Sequence, residues 1–63
     1  MTQKELSYME DAIGHEISII SICNEIIEKL DDEGLISFLE SEVNSHEQMK
    51  EELINKLKEK SNE

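Results

Sequence analysis

The chain has 63 residues and a net charge of −10, from 16 acidic and 6 basic side chains. This excludes a large enzyme core and a clustered cationic surface for a phosphate backbone or an anionic membrane. A chain this short buries only about 60% of its unfolded surface and needs a staple or a partner. One cysteine makes no internal disulfide, so a metal or a second chain is expected to complete the fold.

The opening "MTQKELSY" lacks the charged-then-apolar layout of a secretory signal, and no apolar run approaches the roughly 18 residues of a membrane span. A cytoplasmic protein that binds neither nucleic acid nor membrane is expected. Thr2 followed by Glu5 reads as a capping box, so a first helix should start near residue 3 and run to about residue 30. A heptad stripe steps by three and four along it, apolar but for Glu16: Leu6, Met9, Ile13, Glu16, Ile20, Cys23, Ile27, Leu30. A neighbouring stripe runs Tyr8, Ala12, His15, Ile19, Ile22, Ile26, and Ile17 widens the face further.

The segment "LDDEGL" breaks the pattern and sets a turn at about 31–34. Asp31 or Asp32 can cap a second helix, or Gly34 can supply a left-handed turn residue. That helix should run from about 33 to about 58, with Lys56, Lys58 and Lys60 at its negative end and the tail "KSNE" frayed. Its stripe reads Leu35, Leu39, Glu42, His46, Met49, Leu53, Lys56, with Val43, Ile54 and Leu57 alongside. Glu25 with Lys29 and Glu52 with Lys56 are expected solvent pairs. Residues 1–63 therefore read as one all-α unit, an antiparallel two-helix hairpin. One helix cannot cover two apolar seams on the other, so the economical solution is a homodimer, a four-helix bundle of two hairpins.

Equal distances from the turn put Glu16 about level with His46, within one helical turn of roughly 5.4 Å. A twofold axis through the bundle would gather two copies of each in one slice of core, with Glu42 or His15 beside them. Buried carboxylates and imidazoles are costly unless paired or bound to a cation. Glu16, His46, Glu42 and His15 are thus the candidate metal ligands, for iron or manganese ahead of zinc, or for no metal at all. The plainer reading of Glu16 and His46 is a polar core pair that fixes register. Gly14, in mid-helix, is expected to make room for a neighbouring helix or imidazole. Cys23 reads as a small core hydrophobe, and His15 as a half-exposed bundle residue.

The segments "KELSYMEDAIGHE" and "CNE" in the first helix, the acidic turn and the histidine of the second helix resemble short ferritin-like proteins related to spore coat protein F of spore-forming bacteria. The similarity covers nearly the whole chain. It implies a ferritin-like half bundle that dimerises, with a spore association. In the ferritin-like pattern one helix gives a glutamate, matched by Glu16, and the next gives Glu-x-x-His, whose histidine is matched by His46. Val43 stands where the second glutamate belongs, and Glu42 is one residue away, rotated about 100° around the helix. The resemblance then implies a mononuclear site or one that has lost its metal. Two functional classes follow: a structural or metal-binding dimer, more a building block than an enzyme, or a regulatory module that docks on a signalling protein by a helical face. No nucleophile–base pair or glycine-rich phosphate loop supports catalysis.

Overall fold

The computed structural model describes residues 1–61. Helix α1 spans Gln3–Lys29 and helix α2 spans Glu33–Ser61, and the two pack along their length. The molecule is a rod with extents of 47 × 15 × 10 Å. No strand occurs among the described residues.

The ends of the helices follow from their capping residues. The Thr2 hydroxyl accepts from the Glu5 amide at 3.1 Å, and the Glu5 carboxylate accepts from the Thr2 amide at 2.8 Å. These two bonds satisfy donors that the first turn leaves without helical partners. They also hold the Glu5 carboxyl below its ordinary value. Helix α1 stops at Leu30, whose backbone is extended, and no residue of the described chain takes a positive φ. Asp32 makes the turn: its Oδ1 accepts from the Leu35 amide at 2.9 Å and its carbonyl from the Ile36 amide at 3.0 Å. Of the alternatives at the turn, Asp32 is therefore the cap, and Gly34 lies in the first turn of α2 without left-handed backbone. Helix α2 continues three residues past the expected end, to Ser61, whose hydroxyl donates to the Lys58 carbonyl at 3.1 Å. The last two residues of the expected frayed tail lie outside the described residues.

The seam of α1 is the one its spacing predicts. Leu6, Met9, Ile13, Glu16, Ile20, Cys23, Ile27 and Leu30 are all partly or fully covered. The seam of α2 is rotated from the expected one: it runs Ile36, Leu39, Val43, His46, Lys50, Leu53, Leu57. Leu35, Met49 and Lys56 are exposed beside it. Lys56, expected to pair with Glu52, meets Glu59 at 3.5 Å, and Lys50 meets Glu47 at 3.2 Å.

Two helices enclose very little. Among the described residues only Ile20 is buried, at 8% exposure. Heptad geometry shows where the rest is left open. In an antiparallel pair, the positions flanking the seam on the same side come from the two apolar-rich flanks here: Ala12, Ile19 and Ile26 of α1, with Leu35, Glu42, Met49 and Lys56 of α2. Tyr8, Ile22 and Phe38 lie further out on that side. A groove at the open end, lined from both helices by Met1, Glu5 and Tyr8 with Lys56, Leu57 and Lys60, joins those two flanks directly. The opposite side carries Gly14, Ser21, Asn24, Glu40, Asn44, Glu47 and Glu51, with Ile17 and Ile54 as its apolar members. The hairpin thus has one oily side and one polar side.

Candidate functional site

Glu16 and His46 meet at the waist of the hairpin. Both occupy seam positions, on facing helices and equally far from the turn centre, so the fold itself brings them together. The His46 Nδ1 contacts Glu16 Oε2 directly. A carboxylate only accepts, so the ring presents an N–H there. The other ring nitrogen, Nε2, faces Glu42 Oε2 at 3.7 Å, one turn back on the same helix. The Glu16 and His46 side chains retain 14% and 20% exposure. They are therefore largely dry, and each is satisfied by the other: no buried side-chain polar atom of the described residues lacks a partner.

Three of the four candidate ligands thus converge: Glu16, His46 and Glu42. His15 does not join them. It is exposed on α1, in a shallow dent with Asp11, Ala12 and Glu16. Among the described residues no group of three or more His, Cys, Asp or Glu side chains is placed to hold a metal ion. Both imidazole nitrogens already face carboxylates, so the donors of one chain do not by themselves make a cation cage. A metal would need donors from another copy. Gly14 has open space where a β-carbon would stand, and so makes room for nothing within the hairpin. Cys23 is a free thiol in the seam, partly covered, as a small hydrophobe would be.

The groove at the open end, about 470 Å³, was not anticipated from the sequence. Its signal was present: Tyr8 and Lys56 lie off the two seams on the side that faces the same way in both helices. Two apolar residues of α2 fall on none of the expected stripes: Ile36, which the fold places on the seam, and Phe38, which stays exposed.

The fold and site define an all-helical antiparallel hairpin with a carboxylate–imidazole clamp at its waist and an uncovered apolar side. No helix among the described residues is long and apolar enough to cross a membrane. No protein-family model matches the chain, and no significant match is found among curated proteins or solved structures.

Proposed function

We propose that the chain is a structural half bundle, a small helical subunit that completes its core by pairing with a second copy into a ferritin-like four-helix bundle. The observation that carries this is the apolar side left open on the hairpin, with Tyr8 65% and Phe38 61% exposed. The accessible surface is 4887 Å², against about 4,200 Å² for a compact monomer of this size. The excess of roughly 700 Å² is close to the ~800 Å² that each partner contributes to a standard protein interface. Pairing of the oily sides removes this mismatch. The Glu16–His46 clamp then acts as a register lock for the hairpin, because slipping either helix by one residue would leave a carboxylate or an imidazole against Ile or Leu. The resemblance to spore coat proteins adds a setting for such a subunit, a proteinaceous spore layer.

One observation supports a second role at the same place. An imidazole flanked by two carboxylates is a donor set suited to iron, manganese or zinc. Duplicated across a dimer, the waist would hold enough donors for one ion. Here the chain's own contribution is Glu16, His46 and Glu42, which hold and orient; redox or Lewis-acid chemistry would be the ion's.

Sedimentation equilibrium combined with elemental analysis tests both parts. A dimer is expected at micromolar concentration, and His46→Ala should remove any stoichiometric metal. A monomer at high micromolar concentration would overturn the half bundle. If that monomer bound a helix of a signalling protein through Ile22 and Phe38, it would be a regulatory module instead. A dimer free of metal after growth with iron and manganese would leave the structural role and remove the metal.

A further inference from the structure

The two aromatic residues of the chain, Tyr8 and Phe38, are both exposed and both on the oily side. They are also placed symmetrically about the waist. Tyr8 is eight residues from Glu16 toward the open end, and Phe38 is eight residues from His46 toward the turn, each about 12 Å along the helix. The charges are distributed along the same axis. Lys4, Lys50, Lys56, Lys58 and Lys60 lie on the open-end side of the waist, and Lys29 alone on the turn side. Between Ile17 and Ser45 seven carboxylates stand against that one lysine, while the rest of the sequence sets nine against five, so the turn half is the more acidic, and Asp31, Asp32 and Glu33 crowd the turn itself. Lys60 is fourteen residues from His46 in one direction and Asp32 fourteen in the other, so each lies about 21 Å from the waist.

Resting on the half-bundle reading, we infer that the second copy docks antiparallel, its turn seated on the open end of the first, with Phe38 entering the groove beside Tyr8 and the acidic turn meeting Lys56 and Lys60. A single twofold axis through the Glu16–His46 level, perpendicular to the rod, produces every one of these matches at once. It sets Phe38 level with the partner subunit's Tyr8, and the interface is isologous, so each contact occurs twice. The groove is lined by the apolar Met1, Met9 and Leu57 and by Lys56 and Lys60 beside Tyr8, with Glu5 as its carboxylate. It suits an aromatic ring carried beside carboxylates. A parallel dimer would instead stack two acidic turns and leave both grooves unfilled. Charge of this kind selects orientation more than it adds affinity.

The test is a distance. In a Cys23→Ser background, a spin label on Asp31→Cys sits fifteen residues from the waist. An antiparallel dimer puts the two labels about 45 Å apart, and a parallel dimer puts them at roughly half that or less. Pulsed dipolar spectroscopy should return the long distance. Alongside it, Phe38→Ala and Tyr8→Ala should each weaken the dimer about tenfold or more with helicity unchanged, and together by less than the product of the two effects. A dimer with the short distance would overturn the antiparallel docking and leave the half bundle standing. Long-distance dimers indifferent to both aromatic truncations would overturn the ring-in-groove contact. The absence of any dipolar signal in a monomeric sample would overturn the docking and the half bundle together.

Discussion

At the scale of single residues, Glu16 and His46 decide how uniquely the two helices fit. Their contact is largely shielded from water, so removing one partner strands the other. Glu16→Ala should lower unfolding stability by about 1.5–3 kcal/mol, the range for a hydrogen bond to a charged group. Replacing both by leucine should be near neutral or stabilising, since apolar packing competes well with a desolvated pair. Urea titrations of the single and double variants measure both, and the amide NMR spectrum reports the price in register: broader lines, from helices free to slide. A double leucine variant as unstable as Glu16→Ala would show that the pair is more than a lock. Gly14 makes the opposite case. Nothing lies within 4 Å of where its β-carbon would be, and it sits on the polar side, away from the proposed interface. Gly14→Ala should therefore stabilise the helix by up to about 1 kcal/mol and leave the dimer constant unchanged. A weakened dimer would place the second copy on the polar side.

At the scale of helices, the ends carry most of what the sequence made readable. Thr2–Glu5 and the acid before Glu33 are local signals, and local hydrogen bonds realised both. The seam of α1 was equally legible, because it steps by three and four without a slip from Leu6 to Leu30 although a second isoleucine stripe runs beside it. The seam of α2 was not. Its apolar residues are sparse, and two three-four series share Leu39, His46 and Leu53; one continues through Leu35 and Met49, the other through Ile36, Val43 and Leu57. Periodicity alone does not choose between them. Packing does, because Ile36, Val43 and Leu57 point to α1 while Lys50 lays its stem across the seam and its ammonium on Glu47. The clamp was found anyway because His46 belongs to both series. His15 does not join the clamp within one chain, because its stripe faces out of the hairpin. The caps yield their own expectation. Asp32→Ala removes the acceptor for the Leu35 amide and should lower stability by about 1 kcal/mol, read by thermal denaturation. At the other end, Glu5 has a folded value below its unfolded one, so the contribution of its bonds is complete above the ordinary carboxylate value near 4.5 and is lost as pH falls through the depressed folded value. Amide exchange in the first turn of α1 should quicken over that acidic window. Thr2→Ala should bring the Glu5 titration, followed by NMR, back toward its ordinary value; an unmoved titration would mean that the capping box does not form.

For the whole molecule, the decisive quantity is the balance between a rod with one buried side chain among its described residues and the entropy of ordering its two helices. Fixing a backbone costs on the order of 1–2 kcal/mol per residue, while full burial of an isoleucine or leucine returns roughly 1.5–3 kcal/mol. A hairpin that buries Ile20 to 8% exposure and half-buries its other described seam residues has little margin. Ile19, Ile22, Ile26, Leu35 and Phe38 are available to a second chain, and their burial would supply what the seam does not. Stability should then be linked to association: the unfolding temperature should climb steadily with protein concentration, since mass action favours the folded dimer over two unfolded chains. Ile22→Ser, on the oily side between the waist and the turn, should lower that temperature and also shift the midpoint concentration of the dimer upward, whereas Ile17→Ser, about equally exposed on the polar side, should do neither. Differential scanning calorimetry over a hundredfold range of concentration separates the two variants. An unfolding temperature independent of concentration, with Ile22→Ser and Ile17→Ser alike, would mean that the hairpin stands by itself and that its oily side serves some other surface.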